Sequence, residues 1–434
     1  MTDEAGRKSG GLRPWHVVLA ILGLLIVAVV LWMVATGRSI ERQLAEIRAQ
    51  GHPTSLTELS EMNQLPLGVE NAALLYEEAF TVYVTPADPD NTPYAGSGKL
   101  PPRGQPLPEA MVSAIEEYLA DNKETLDLLR EAAAIEHCHY DWNMAGGLLP
   151  DLEHLRYGAF LLATAARLSA HHGDAEATLA YIDDGLHLAR SVRREPALIS
   201  YLVHVASAAV SLRSLEQTLS ATPLTDEQLV RVDRMLTEAG TACGFTQALV
   251  SERCYAIESI QNPSQMGGAG GRVSSIPILG RVGLADMLDY MAACIEASKL
   301  PVGQRVARFR QIQDELEDLG FLHVIVKVLA PAMSRVAELD LRFRADIDMA
   351  RTAVAIERFR LTKGDLPRDL ASLVPDYLDQ VPIDPFDGQP IRYRRSEPGY
   401  RLYSVFEDGA DHDGKGKDEI NKGDPHDWPF IVAR

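Results

Sequence analysis

The strongest feature of the hydropathy pattern is an uninterrupted apolar run near the N-terminus. From Val17 to Ala35, nineteen residues carry no charge and are rich in Val, Leu and Ile. At about 1.5 Å per residue, a helix of this length spans roughly 30 Å, the thickness of the bilayer hydrocarbon. Trp15 and Trp32 lie near its two ends, where aromatic rings favour the membrane interface. The pattern predicts one transmembrane anchor over residues 15–36.

A cleaved signal peptide is the alternative interpretation of this run, because three basic residues lie between positions 7 and 13. The apolar core of a signal peptide is usually ~7 to 15 residues long, so this longer run favours an uncleaved anchor. Orientation is not decided by charge, since three basic residues also lie between 38 and 48. We expect the short N-terminal tail to be cytoplasmic and the remaining chain to be periplasmic or extracellular.

Downstream of the anchor, apolar positions recur with helical spacing. Ile40, Leu44 and Ile47 form one stripe, and Ser39 in front of them predicts the start of a separate stalk helix. Residues 85–108 contain seven prolines and three glycines, which predict an irregular loop. The predicted short helices before this loop are 54–65 and 71–83.

Beyond the loop, the 3.6-residue period predicts a mainly α fold whose short connections place neighbouring helices antiparallel. A Gly-rich stretch near 267–271 predicts a linker, and Pro331 is expected to kink or divide its helix. The predicted helices of this array are 108–135, 151–171, 174–193, 196–220, 225–240, 243–261, 281–299, 302–319 and 322–363.

After the last of these helices the pattern changes to strict alternation. Apolar residues such as Tyr393 and Leu402 alternate with charged ones, and the turn Ser396–Gly399 joins the two alternating runs. This pattern predicts a β-hairpin, to which Trp428–Val432 adds a third strand. The predicted fold is therefore mainly α with a small antiparallel sheet at the C-terminus.

Composition narrows the classes of partner. The formal net charge of -19 opposes binding to nucleic-acid phosphates, so no nucleic-acid partner is expected. The cysteines show no CxxC spacing and are interpreted as buried small apolar residues, with one long-range disulfide as the alternative. The four cysteines are Cys138, Cys243, Cys254 and Cys294.

Three segments of the C-terminal region follow one another in the order typical of a known family. They are AIERFRLTKGDLPRDLASLVPDYL, VPIDPFDGQPIRYR and GYRLYSVFEDG, and an acidic loop comes after them. Through these segments, residues 340–432 resemble the soluble domain of the major pseudopilin of type II secretion. The resemblance covers about a fifth of the chain. It implies a helix packed on a small antiparallel sheet and a calcium ion in the acidic loop.

The composition of this acidic loop supports calcium independently. Between Glu407 and Asp427, eight carboxylates are interleaved with four glycines. Calcium takes six to eight oxygen ligands, which a loop that bends back on itself can supply. An EF-hand does not fit, because Lys415 and Lys422 occupy ligand positions. The alternative is a solvated acidic loop without an ion. The predicted ligands are Asp408, Asp411, Asp413, Asp418 and Glu419.

The resemblance does not predict a pilus subunit. In a pseudopilin the apolar helix directly precedes the sheet, whereas here it lies over three hundred residues upstream. Gly244-Phe245-Thr246 imitates the processing site of the family, but Leu249 replaces the glutamate that should follow. The N-terminal two thirds also resemble uncharacterised membrane-anchored bacterial proteins, through IRAQGHPTSLTEL and GVENAALLYEEAF. That second resemblance implies no activity.

One local cluster has side chains of the metal-binding type. His137, Cys138, His139 and Asp141 lie where a predicted helix gives way to a loop. Zinc needs convergent ligands, so a site here would require further side chains from elsewhere in the chain. The simpler interpretation is a packed helix end. The candidate additional ligands are His154, His171 and His172.

These observations favour a non-enzymatic, membrane-tethered envelope protein that binds or scaffolds a protein partner. The motif families for nucleophilic, zinc-protease, phosphate-loop and dinucleotide sites are not found. Carboxylate pairs such as Asp183 and Asp184 are expected on solvated helix faces. Two alternatives stay open: an envelope hydrolase or metal-dependent enzyme with a site near His137–His154, and an accessory component of a secretion or pilus-like system.

The predicted organisation follows from these boundaries. It comprises a cytoplasmic tail (1–14), the anchor (15–36), juxtamembrane helices (37–84), the Pro/Gly-rich loop (85–107), a helical array (108–262), the Gly-rich linker (263–280), further helices (281–339) and the pseudopilin-like module (340–434).

Overall fold

The computed structural model describes residues 14–66, 68–140, 152–193, 197–241, 244–262, 275–320, 323–330 and 333–434. Within them the protein is mainly helical, with a small three-stranded antiparallel sheet near the C-terminus and one apolar helix near the N-terminus. This coarse fold class confirms the prediction from the sequence. Residues 263–274 of the predicted Gly-rich linker (263–280) lie outside the described residues, and a helix begins at Pro277, within the last part of the predicted linker.

The helices are numbered in chain order. They are α1 (Pro14–Ala49), α2 (Leu56–Asn63), α3 (Ala72–Thr81), α4 (Glu109–Asp121), α5 (Lys123–Ala133), α6 (Leu152–His171), α7 (Ala175–Ser191), α8 (Leu198–Ala221), α9 (Asp226–Thr241), α10 (Phe245–Gln261), α11 (Pro277–Lys299), α12 (Val302–Glu317), α13 (Val324–Leu329) and α14 (Met333–Lys363). The separation of α13 from α14 confirms the expected division near Pro331.

The sheet contains β1 (Arg392–Arg395), β2 (Tyr400–Ser404) and β3 (Trp428–Val432), in that spatial order. Tyr393 pairs with Leu402, and Leu402 pairs with Phe430 on the other side. Tyr400 and Leu402 are fully buried, whereas Arg394 is exposed, so the alternation in the sequence predicted both the hairpin and its buried face.

Helix α1 is continuous, which corrects the prediction that Ser39 starts a separate helix. No proline interrupts the chain here, and one serine inside a helix costs under about 1 kcal/mol. Beyond it, Ile40 is buried and Leu44 and Ile47 are partly buried against the main core. This tertiary packing holds the second half of α1 in the same helix as the apolar run.

The first half of α1 is exposed along its apolar length and is a candidate membrane anchor or signal. Helix α8 is also long and apolar enough to cross a membrane, but most of it is buried inside the protein. The burial of α8 indicates a core helix. Exposure therefore distinguishes the two helices where composition alone does not.

The predicted helix over 108–135 is divided in two at Asn122, which is a second correction. The amide of Asn122 donates to Val84 O at 2.8 Å and accepts from Val84 N at 2.9 Å. This side chain is buried, and it satisfies both backbone polar groups of Val84, the residue just before the Pro/Gly-rich loop. Such a long-range partner is not visible in the local pattern.

The central element of the fold is α14, which packs against α8, α9 and α12 and also against β2 and β3. One continuous hydrophobic core includes residues of these helices together with Tyr400, Leu402 and Val432 of the sheet. A second cluster lies among α3, α5, α6 and α7. The helices and the sheet thus share a core.

Two buried carboxylates on α14 bind side chains from other segments. Asp340 is fully buried and accepts from the Tyr201 hydroxyl of α8, from Arg305 of α12 and from Arg344. Roughly five turns further along α14, Glu357 is also buried and accepts from Arg360, Tyr400 and Arg434. These pairs satisfy charges that would otherwise be costly inside the protein.

Strand β3 is the edge of the sheet, and α8 covers it. Ile431 N donates to Glu216 Oε1 at 2.7 Å, and Ala433 N donates to Ser220 Oγ at 3.2 Å. Arg103 from the Pro/Gly-rich segment pairs with the same Glu216 carboxylate. Because the edge donors have partners, this strand is not open to pairing with another chain.

The cysteine prediction is confirmed for Cys254 and Cys294, which are buried and free; burial raises the pKa of each thiol to about 12. Cys138 forms no disulfide with a described cysteine and is only half-buried. Cys243 lies outside the described residues. Reactivity is therefore not expected of the two buried thiols.

We predict that Asp340→Asn destabilises the protein by about 3–5 kcal/mol, because it leaves Arg305 buried without its carboxylate. Denaturant unfolding of the full chain in detergent measures this change. Asp314→Asn, an exposed carboxylate on α12, is the control and should stay within about 0.5 kcal/mol of the parent.

Adding Arg305→Met to Asp340→Asn should recover part of the loss, since the double variant no longer buries that unpaired cation. Equal effects of Asp340→Asn and Asp314→Asn would show that the buried pairs on α14 do not hold the helices in place.

Candidate functional site

The acidic loop connects β2 to β3 and folds back around one buried carboxylate, Asp427. Its Oδ2 accepts from the backbone N–H of His412 at 3.0 Å and of Gly414 at 2.6 Å. The Asp427 N–H in turn donates to Lys415 O at 2.9 Å. Asp427 is therefore the side chain around which the first half of the loop is ordered.

The second oxygen of this carboxylate has a different environment. Asp427 is 0% exposed, and among the described residues no donor reaches its buried Oδ1. Burial raises the pKa of Asp427, and the neighbouring negative charge of Asp411 raises it further. A buried oxygen without a partner is energetically costly, and a bound cation would remove that cost.

Asp411 is the predicted ligand whose negative charge acts on Asp427. Its Oδ1 accepts from the N–H of Asp413 at 2.8 Å, and its Oδ2 accepts from the Tyr403 hydroxyl at 3.4 Å. Burial, and to a smaller extent the negative charge of Asp411, raises the pKa of Tyr403 to about 12. This hydroxyl therefore keeps its proton and donates a hydrogen bond to Asp411. Both Asp411 oxygens are thus directed into the loop and the adjacent strand.

Asp408 is paired with a histidine of the same loop. His412 Nε2 lies 2.8 Å from Asp408 Oδ2, and Ala410 N donates to Oδ1 at 3.0 Å. Burial opposes the charged form of Asp408, but these hydrogen bonds outweigh it and lower its pKa. The bond to Asp408 correspondingly raises the pKa of His412.

The other three predicted ligands lie on the outside of the loop. Asp413 pairs with Arg394 at 2.9 Å, and Glu419 pairs with Arg401 at 3.2 Å. Asp418 is exposed. Among the residues that the structure describes, no group of three His, Cys, Asp or Glu side chains is placed to hold a metal ion. The calcium site of the sequence analysis therefore stays a prediction.

Asp427 is not among the calcium ligands predicted from the sequence, although the loop is ordered around it. It stands immediately before the third strand, where a chain returning to the sheet is expected to be buried. Gly414 supports this placement, because its φ of 74° and its contact with the Tyr403 ring leave no space for a side chain. A glycine near the middle of the loop, Gly414, and an aspartate at its end, Asp427, are the signal that could have identified this contact.

The histidine region is organised by backbone contacts. Asn71 clamps His139, donating to its carbonyl at 2.7 Å and accepting from its N–H at 2.9 Å. Cys138 lines a cleft of about 350 Å³ together with Tyr76 and Arg190. Asp141 lies outside the described residues. The segment is thus held against the start of α3 mainly through its main chain.

The histidines proposed to complete a zinc site have separate neighbours. His154 stacks on Phe80 with ring centroids 5.9 Å apart, and His171 Nδ1 accepts from Leu107 N at 3.3 Å. His172 lies 4.0 Å from Glu116. Each imidazole therefore serves a different local contact, which favours packing roles for them.

Asp184 corrects the expectation that the Asp183–Asp184 pair lies on a solvated face. Its side chain is only 17% exposed and pairs with Arg130 at 3.3 Å. Burial raises the pKa of Asp184 to about 6, although Arg130 opposes the shift. The helix α7 turns this residue towards α5, a contact that spacing along one helix does not reveal.

No protein-family model, curated protein or solved structure matches the chain. The function must therefore be argued from the residues and their geometry. The resemblance to pseudopilins rests on the three quoted C-terminal segments.

One further carboxylate lies beside the loop. Trp428, the residue after Asp427, donates its indole N–H to Asp346 Oδ1 at 2.5 Å, and Arg342 stacks over the same ring at 4.5 Å. Burial raises the pKa of Asp346 to about 7, against the opposing effect of the indole N–H. Asp346 thus joins α14 to β3 at the base of the acidic loop.

We predict that Asp346 contributes stability that increases as the pH falls from about 8 to about 5, whereas the buried His204, whose pKa is lowered to about 4 by burial, contributes in the opposite direction. The folded-state pKa of Asp346 is above the unfolded value, so the folded protein binds a proton in this range that the unfolded chain does not. Asp184 acts in the same direction. Denaturant unfolding at the two pH values measures the effect.

Asp346→Asn imitates the protonated side chain and keeps an acceptor for Trp428. It should stabilise the protein at about pH 8, change little at about pH 5, and so remove this contribution to the pH dependence. Asp376→Asn, an exposed carboxylate, is the matched control. An unchanged pH profile in Asp346→Asn would contradict the assignment.

Proposed function

We propose that this chain is a membrane-tethered envelope protein that binds or scaffolds a protein partner without catalysing a reaction, and that calcium stabilises its C-terminal module. The observation that carries the calcium part is the buried Asp427 Oδ1, which no described donor reaches. The exposed apolar half of α1 carries the membrane part.

The proposed tether is the segment 15–36, with the N-terminus in the cytoplasm and the remaining chain periplasmic or extracellular. Apolar side chains in this half of α1 are largely exposed; Leu24 and Leu31, for example, are 70% and 65% exposed. The hydrophobic effect would drive such a surface out of water. The same helix then enters the domain core at Ile40, so tether and domain are joined without a loop.

The proposed calcium site is centred on Asp411 and Asp427. A calcium ion would supply positive charge to these neighbouring carboxylates and a partner for Asp427 Oδ1. Asp408, Asp413, Asp418 and Glu419 are the other carboxylates available to complete the set. Outside the cell, calcium at millimolar concentration fills sites with Kd of ~10⁻⁴ to 10⁻³ M, which agrees with the proposed orientation.

The charged side chains that line two clefts are paired with other protein side chains, which favours a binding role over a catalytic one. A cleft of about 490 Å³ lies between α9, α14 and residues 378–385. Arg351 in its wall pairs with Asp233, and Arg344 pairs with Asp340. In the cleft beside Cys138, Arg190 pairs with Glu238 at 3.1 Å. Paired charges of this kind stabilise a surface for recognition.

Calcium at ten to one hundred times its Kd should raise the Tm of the full chain by about 2–3 °C relative to excess chelator, because it binds only the folded loop. Terbium, which binds calcium sites, should show luminescence sensitised by Tyr403 or Trp428. Differential scanning fluorimetry in detergent and terbium emission measure the two effects.

Asp427→Asn should abolish both effects, and Asp408→Ala should remove the Tm difference. Asp424→Asn changes an exposed carboxylate of the same loop and should leave both intact. If calcium does not shift the Tm of the parent, or if the Asp424 and Asp427 variants respond alike, the calcium proposal fails.

Fusion of a periplasm-dependent alkaline phosphatase to the C-terminus should give active enzyme in a bacterial host, because that reporter forms its disulfides only outside the cytoplasm. A fluorescent reporter that folds only in the cytoplasm should be dark at the same position. Deleting residues 1–36 should reverse both results. Bright cytoplasmic fluorescence of the full chain would overturn the proposed orientation.

A further inference from the structure

Helix α11 lies beside α1 and runs in the same direction. Arg281 Nη1 donates to Met33 O at 2.7 Å, and further along both helices Gln43 Nε2 donates to Asp289 Oδ1 at 2.8 Å. The partners occur in the same order in the two helices. The Arg281 guanidinium also lies against Gly37, where a Cβ would be in ordinary contact with it, 3.5 Å from Nη1.

This direction places the start of α11 level with the end of the apolar run. Ile276, the residue before α11, precedes Arg281 by five residues, which corresponds to roughly 7–8 Å along the helix axis. Arg281 itself reaches Met33, within the run. Ile276 and Ile278 therefore lie beside the last turns of the segment that is proposed to cross the membrane.

Helix α13 returns towards the same level. His323 lies 2.6 Å from Asp286, and Ile325 packs so closely on Gly283 that a Cβ there would lie 2.6 Å from it. The order of these partners is reversed, so α13 runs opposite to α11. Val328, three residues beyond Ile325, is then about 4–5 Å nearer to the apolar run.

The three side chains at this level are apolar and exposed. Ile276 is 48% exposed, Ile278 is 37% exposed and Val328 is 64% exposed. We refer to these three residues as the membrane-side end. The neighbouring basic side chains bind the protein: Arg281 donates to Met33 O and Lys327 donates to Glu317 O, both at 2.7 Å. In water this apolar surface would be unfavourable, whereas beside the anchor it continues the surface of α1.

We propose that the membrane-side end inserts into the leaflet nearest to the domain and contacts lipid acyl chains, so that the domain rests on the bilayer through α11 and α13 as well as α1. The proposal rests on the proposed tether, because α1 sets the level of the membrane. It adds a second contact, which would fix the orientation of the domain on the membrane.

The test places an environment-sensitive fluorescent amino acid at single positions of the full chain. The protein is reconstituted in phosphatidylcholine vesicles whose acyl chains carry a nitroxide quencher. A probe at Ile278 should show blue-shifted emission and lose intensity to an extent comparable with a probe at Val30 in the anchor. A probe at Val328 should behave likewise.

Val230 is the matched control, because its side chain is also 37% exposed and apolar. It lies on α9 between Asp226 and Asp233, which pair with Arg358 and Arg351 in the second half of α14. The end of α12 lies near the membrane-side end, because Lys327 beside Val328 donates to Glu317 O at 2.7 Å. Arg305 and Arg310 of α12 contact Asp340 and Glu338 in reversed order, so α14 runs opposite to α12 and away from the membrane-side end. A probe at Val230 should keep its emission.

The outcomes separate the two proposals. Quenching at Val30 without quenching at Ile278 or Val328 overturns the second contact and leaves the tether intact. No quenching at Val30 overturns the tether itself. Equal quenching at Ile278 and Val230 also counts against a specific membrane-side end. Thermal melts of each labelled chain establish that the exposed positions tolerate the probe.

Discussion

Helix α14 packs against α8, α9 and α12 and also against two strands of the sheet, yet it carries carboxylates along its buried length. Asp340 and Glu357 are buried, and Asp346 is held by the Trp428 indole. Asp340 binds side chains of α8 and α12, and Asp346 binds Trp428 of β3. Glu357 binds Tyr400 of β2 and Arg434. An unpaired buried charge costs several kcal/mol, so alternative dockings of these segments are disfavoured. Apolar packing drives the collapse of the domain, and the carboxylates of α14 specify which segments meet there.

The C-terminal region is consequently more than a module added to a helical array. Its strands share a hydrophobic core with α8 and α14, and the last residue of the chain, Arg434, pairs with Glu357. Glu216 of α8 binds the backbone of β3 and the guanidinium of Arg103 at once. A ligand bound in the acidic loop would stabilise the helices through these contacts, because the sheet cannot separate from α8 without breaking them.

Local patterns were sufficient for most of the fold. The 3.6-residue period predicted the helices, and strict alternation predicted the hairpin with its buried face at Leu402. The predicted helix boundaries were wrong where a contact with a distant residue determines the local structure. Ser39 stays within α1 because Ile40 packs on the core. Asn122 divides a predicted helix because it binds Val84. Asp427 was missed for the same reason, since its burial depends on how the loop closes and carboxylates of one loop look alike in sequence.

The continuity of α1 also determines how the domain is held relative to the apolar segment. A tether followed by a flexible loop would let the domain tumble, but α1 enters the core at Ile40 and pairs with α11 through Gln43 and Asp289. From α12 and α14, Arg310 and Arg335 then reach Glu407 at the start of the acidic loop. A chain of packed helices thus connects the apolar segment with that loop. Because each step is a direct contact, the acidic loop is held at a defined distance and angle from the apolar segment.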